Sequence, residues 1–298
     1  GAVKNNKAVS DTGNLCGGGI ALRGTNSKFI MESGNPEISG NEAVSTSTNA
    51  SGGGIFVGFG VTLDIKSGNI TGNDAKEGQG VYVSYSMSSP PNMCMSGSAK
   101  IDTNNDVYLS GFSTNTKIKL DGVLSGVAPV ARITVSNNKY LPSTQVLDGD
   151  ITEGTSQNYT KFTVTPKTLG GGSTQQWEIN SSGFLQKAPV VINNTGLAWQ
   201  NLRDAVAAAA DGDTIIINGE IKATNASDNK GEITVNKNLT IKKADGAASA
   251  VLDANKDTDG KPKHRIFKVE GGKTLTLTNL TLKGGKPDGS DEEGCGGG

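Results

Sequence analysis

One short phrase recurs along this chain and restricts what it can fold into. Gly17-Gly18-Gly19-Ile20 returns as Gly52-Gly53-Gly54-Ile55 and, in worn form, as Gly78-Gln79-Gly80-Val81. Ile55 and Val81 are 26 residues apart, and so are Val81 and Val107. A second phrase lies between these copies. It reads Ile38-Ser39-Gly40-Asn41-Glu42-Ala43, then Ile70-Thr71-Gly72-Asn73-Asp74-Ala75, with Ile101-Asp102-Thr103-Asn104-Asn105 as a decayed third copy. Short alternating runs at 29–31, 61–65 and 93–95 precede each, closed by Ser-Gly.

Three short strands in every ~20–35 residues, with inward Ile, Val and Leu, is the pattern of a right-handed parallel β-helix. Gly permits positive φ and close backbone approach at the corners. Asn tolerates the left-handed conformation, and stacked Asn side chains form hydrogen-bonded ladders. A β-sandwich with Gly-rich hairpins is the competing reading of the same spacing.

Composition agrees with an all-β solenoid. Gly supplies 42 of 298 residues, while aromatics are 5% and charged residues 19%. No apolar run approaches the ~18 residues of a membrane helix. The net charge of −1 argues against electrostatic nucleic-acid binding.

Gly-Gly-Gly-Ile alternating with Gly-Asn-x-Ala resembles the repeats of bacterial polymorphic outer-membrane and adhesin-like surface proteins. The likeness covers residues 1–110 and 190–298. It implies a pectin-lyase-like β-helix, an extracellular or cell-surface location, and a structural or adhesive role. It also implies contact with host or surface glycans or proteins.

The Gly-Gly-Gly phrase stops after Leu120. Residues 1–120 therefore read as the C-terminal part of one β-helix, and 121–188 as a β-rich spacer or cap. Trp199, Leu202, Val206 and Ala209 recur at helical spacing, with Asp211-Gly212 as the stop signal. This predicts a short capping helix over 197–210, opening a second β-helix in 189–298. An open solenoid end is an exposed sheet edge that needs a cover.

The chain closes on Cys295-Gly296-Gly297-Gly298 and opens on Gly1-Ala2-Val3, which joined head to tail read as one further repeat. A window on a longer tandem array, or a subunit stacking end to end, is therefore expected. Cys16 and Cys295 both precede Gly-Gly-Gly. Strands lie ~4.7–4.9 Å apart, within reach of a disulfide, so a Cys295–Cys16 bridge across the junction is expected. Cys94, between two inward methionines, is expected to face outward without a partner.

Candidate chemistry is sparse. Polysaccharide-cleaving β-helices need clustered carboxylates, and Arg23, Arg132, Arg203 and Arg265 lie beside no acidic motif. Residues 253–260 carry Asp253, Asn255, Asp257 and Asp259 with Gly260, but lack the distal Glu of a calcium loop. They read as a corner loop, and Asp288, Asp291, Glu292 and Glu293 as a polar insertion. His264 reads as a surface or strand-edge residue. No catalytic residue, cofactor or metal site is expected. A carbohydrate-binding or polysaccharide-cleaving protein is the alternative.

Overall fold

The computed structural model describes residues 1–11, 14–46, 49–111, 116–155, 157–169, 174–226, 228–255 and 264–286. The chain divides into two compact units, Gly1–Ala188 and Pro189–Gly298. It is mostly strand, and the helix Ala198–Ala208 (α1) is the one α-helix among the described residues.

In the first unit the chain returns repeatedly through the same parallel sheets. One sheet stacks Ala2–Lys4, Glu37–Ser39, Asn69–Thr71 and Lys100–Ile101. A second stacks Ile20–Leu22, Ile55–Val57, Val81–Val83, Asp106–Leu109, Ala131–Val135 and Phe162–Val164. A third stacks Lys28–Met31, Thr62–Ile65, Asn92–Gly97, Ile118–Leu124 and Leu147–Gly149. The register is the one the repeat predicts. Val81 lies opposite Ile55 and Val107, and Ile70 opposite Ile38 and Ile101. Leu63 lies opposite Phe29 and Met93.

Period-2 alternation then fixes the core. Ile55, Val57, Val81, Val83, Val107, Leu109, Ile133 and Val135 point inward and are buried. Their neighbours Phe56, Tyr82, Tyr108 and Thr134 form an outward row in register.

The parallel pairing runs past residue 120, where the sequence places a boundary. Ala131–Val135 pairs with Asp106–Leu109, and Phe162–Val164 with Ala131–Val135. Residue 120 marks the end of the Gly phrase, while the inward Val and Ile continue to stack. The sheets end on the antiparallel hairpin Trp177–Ile179/Leu185–Lys187. Its Trp177, Ile179 and Leu185 join the core. Leu185 donates its N–H to the Thr144 carbonyl, and Val146 and Leu147 donate theirs to Gly183.

The second unit holds its own core beneath α1. Val190–Asn193, Thr214–Lys222, Leu239–Lys243 and Leu275–Thr278 form one parallel path. The second half of Thr214–Lys222 continues into Ala250–Asp253 and Thr281–Lys283. Trp199, Leu202 and Val206 are the buried stripe of α1, and Trp199 is fully buried.

The helix is shorter than the predicted 197–210. Its C-cap is Ala209, in extended conformation, ahead of the Gly212 stop signal. Lys237 Nζ donates to the carbonyls of Ala207 and Ala209, each at 2.8 Å, and Asp213 accepts the Ala210 N–H. These partners satisfy the terminus early. The N-terminus has no side-chain cap of its own. Asn229, 30 residues later, accepts the N–H groups of Trp199 and Gln200.

Candidate functional site

The two repeated phrases meet in space. In each copy the Gly before Asn takes positive φ, 64° at Gly40 and 61° at Gly72, and Asn5 holds that place in the first repeat at 56°. At Asn41 and Asn73 the left-handed corner belongs to the residue before, which in the first repeat is itself an asparagine, Asn5. The Asn itself turns its carboxamide into the fold. Asn6 Nδ2 donates to Asn41 Oδ1 (2.8 Å), Asn41 Nδ2 to Asn73 Oδ1 (2.9 Å), and Asn73 Nδ2 to Asn105 Oδ1 (2.9 Å). The same oxygens accept the backbone N–H groups of Asn6, Asn41 and Asn73. Asn41, Asn73 and Asn105 are buried, so this ladder satisfies polar groups that burial would otherwise penalise.

The Gly phrase packs on that ladder. A Cβ placed on Gly19 would lie 2.9 Å from the Asn41 carboxamide carbon, and one on Gly54 3.1 Å from Asn73 Nδ2. One on Gly80 would lie 3.0 Å from Asn105 Cβ. The middle glycines are held more tightly by backbone: a Cβ on Gly18 would meet Gly53 O at 2.5 Å, and one on Gly53 the Gln79 O at 2.6 Å. Stacked Gly N–H groups donate to the next copy, as Gly53 does to Gly78 O and Gly54 to Gln79 O. The run stops at Asp106, whose carboxylate accepts the Gln79 N–H at 2.8 Å.

The outward row beside it is aromatic. Phe56 and Tyr82 stack at 5.6 Å and 9°, Tyr82 and Tyr108 at 5.4 Å and 5°. Arg23 lies over the Phe56 ring at 5.2 Å. Tyr82 Oη donates to Ser110 Oγ at 2.8 Å, and Tyr108 Oη lies 3.1 Å from Ser136 Oγ. Burial pushes both phenols up, Tyr82 and Tyr108 alike. The ring faces are spent on one another, leaving edges outward. Glu77, near this row, has its carboxyl pushed up by burial and by the Asp106 charge, against the pull of Lys76.

Several other acids pair with lysines on neighbouring strands. Lys4 meets Glu37 at 2.5 Å, Lys7 meets Glu42 at 2.7 Å and Lys117 meets Asp148 at 2.7 Å. Asp253 lies between Lys222 and Lys283, at 3.8 and 3.6 Å, and accepts the Asn255 N–H. The remainder of the 253–260 loop lies outside the described residues, as do Asp288, Asp291, Glu292 and Glu293. No group of three metal-ligating side chains occurs among the described residues. No helix among them is long and apolar enough to cross a membrane.

Cys16 is a half-buried free thiol opposite Ser51. Cys295 lies outside the described residues. Cys94 sits in the outer row, opposite Asp64 and Lys119. It is nevertheless covered by that row, and burial pushes its thiol up. His264, read as a surface or strand-edge residue, is half-buried three residues before the strand Phe267–Val269, its ring 5.4 Å from that of Trp199. Among the arginines, Arg265 pairs with Glu232 at 3.1 Å and Arg203 donates to the Lys230 carbonyl at 2.6 Å. Sequence reasoning missed the aromatic stack, although the aligned Tyr82 and Tyr108 carried its signal.

No protein-family model, curated protein or solved structure matches this chain.

Proposed function

We propose that this chain is a right-handed parallel β-helix protein with a non-enzymatic structural or adhesive role at a bacterial cell surface. Side chains at matching positions of consecutive repeats stack on their own copies, and that observation carries the reading. Asn41, Asn73 and Asn105 form one column, and Phe56, Tyr82 and Tyr108 another. The buried Asn column ties the repeats together, and the aromatic row is part of a regular outward face that meets glycans or proteins without a pocket. Its partners are further copies end to end and surface glycans or proteins. Nucleic acid and direct membrane insertion form no part of this reading.

A carbohydrate-binding or polysaccharide-cleaving protein is the second reading, its cleaving form favoured by Glu77, a half-buried carboxyl held high near Asp106, Tyr82 and Tyr108. One experiment separates them. The immobilised chain is presented with glycans and extracellular matrix proteins, and the eluate is assayed for new sugar ends. Retention without cleavage supports the surface role. Cleavage abolished by Glu77→Gln replaces it with the enzyme.

A further inference from the structure

We infer that the outer ring face of Tyr108 and the guanidinium of Arg132 form a binding step for one sugar ring that carries a carboxylate or a sulfate. The inference rests on the surface reading above and names a ligand class and its place on the outward face.

The aromatic stack has two end faces. At one end Ala21 is the register partner of Phe56, and Arg23 covers the free face of that ring. At the other end Thr134 is the register partner of Tyr108. Tyr82 shows what an aromatic here meets inside the stack. It donates to Ser110 one strand on, and the ring of Tyr108 lies against its face. Tyr108 reaches Ser136 in the same way, but a threonine stands where the next ring would lie. Among the described residues no further ring or cation covers Tyr108 on that side.

The floor of the step is made of hydroxyls. Thr134 Oγ1 and Thr165 Oγ1 lie 2.6 Å apart across neighbouring repeats, and Ser136 Oγ lies 3.1 Å from the Tyr108 hydroxyl. Arg132 precedes Thr134 by two residues on one strand, so both are on the same face. Its register partners are Asp106 and Thr163. Its Nε is buried and has no hydrogen-bond partner, an unusual state for a buried donor. Asp106 does not neutralise it, because that carboxylate is turned to the Gln79 N–H on the preceding repeat. Among the described residues no ion pair joins Arg132 to an acid.

Three features select the occupant. A ring face is negative and takes the positively polarised C–H bonds of a pyranose. The hydroxyl floor pairs with the hydroxyls on the rim of that sugar. The guanidinium, planar and permanently charged, matches two oxygens of a carboxylate or sulfate. A neutral sugar would leave Arg132 unpaired. An aromatic side chain of a partner protein would cover Tyr108 and leave both the guanidinium and the hydroxyls unpaired. Nucleic acid binds through many cations at once, and one guanidinium on a face that also carries Asp106 and Glu77 does not supply them.

Retention of the full chain on immobilised hyaluronan, chondroitin sulfate, dextran and single-stranded DNA tests this. The parent is expected to bind an acidic glycan and to pass over dextran and DNA. Retention on hyaluronan, whose only anion is a carboxylate, assigns that group, and retention on chondroitin sulfate alone assigns the sulfate. Thr134→Tyr adds a ring to the stack and closes the step, while Arg132→Gln removes the charge. Each is expected to weaken retention at least about tenfold, with unfolding midpoints showing that both variants fold. Lys100→Gln, which removes the same charge from a different sheet, is expected to bind like the parent. Equal or stronger retention on dextran or DNA, no retention on either acidic glycan, or a Lys100→Gln loss equal to that of Arg132→Gln overturns the inference. Glycan binding that survives Thr134→Tyr overturns it while leaving the surface role in place. A parent retained on no glycan and no matrix protein overturns both.

Discussion

The carboxamide of Asn73 occupies the space that a side chain on Gly54 would need, with Nδ2 3.1 Å from the ideal Cβ position. The glycine serves the neighbouring repeat more than its own turn, since Gly54 has no positive φ. Gly54→Ala would also bring its methyl to 2.6 Å from the Gly80 carbonyl oxygen, which is backbone and cannot swing away. Overpacking of this kind costs about 1–3 kcal/mol. Denaturant unfolding should show that loss, whereas Gly271→Ala, with no atom within 4 Å, should stay within about 0.5 kcal/mol.

Asn73 is the most connected member of its column. Its Nδ2 faces Ile38 O, Thr71 O and Asn105 Oδ1, and its Oδ1 accepts from Asn41 twice. Asn73→Ala leaves several buried groups unpaired, at about 1–3 kcal/mol for each, and is expected to unfold the first unit at clearly lower denaturant. Asn73→Asp retains an acceptor but places a carboxylate against three oxygens. Its charged form is disfavoured in the fold, which raises the carboxyl pKa there, so this variant should regain stability as pH falls from neutrality towards the usual carboxylate range. Equal stability of the Asp variant at pH 4 and pH 7 would refute this account of the column.

The helix α1 is held at both ends by a later segment, Asn229 at its N-terminus and Lys237 at its C-terminus. Asn229 is almost fully buried. Asn229→Ala should cost about 1–2 kcal/mol, as loss of an N-cap does. Lys237→Met should cost less, about 0.5–1 kcal/mol, because the cation at a helix C-terminus is partly solvated. Far-ultraviolet circular dichroism and the emission of Trp199 should both report loosening of α1, more in the first variant.

How much of this was legible beforehand depended on repetition. Columns with a copy in each repeat announced themselves: Ile55, Val81 and Val107 were aligned by spacing alone, and the strands adopt that register. Features made once did not. Nothing near Leu197 in sequence names Asn229 as the cap of α1, because a side chain from 30 residues away supplies it. The Gly phrase ends at Leu120 while parallel pairing continues through Ala131–Val135 to Phe162–Val164, because corner chemistry and core stacking are separate signals. Asp106 separates them, closing the Gly run while Val107 continues the core.

Tyr140 gives the first unit a stability that alkali removes. Its ring is buried against Trp177 at 5.7 Å and its hydroxyl donates to the Thr165 carbonyl at 2.7 Å. Burial pushes the phenol up to about 12 from 10.0. The protonated form is the one the fold accommodates, so its contribution is complete below pH 10 and is lost as pH rises from 10 to 12. A shift of this size corresponds to something on the order of 2 kcal/mol. Tyr82 and Tyr108 are raised by burial as well and act in the same direction. Tyr140→Phe should lose about 1 kcal/mol at pH 8, the worth of one hydrogen bond, and should then fall less steeply above pH 10 than the parent. Unfolding midpoints followed through Trp177 emission at pH 8 and pH 11 supply the comparison. Parallel losses in the two proteins would show that Tyr140 has no part in the alkaline transition and leave Tyr82 and Tyr108 to account for it.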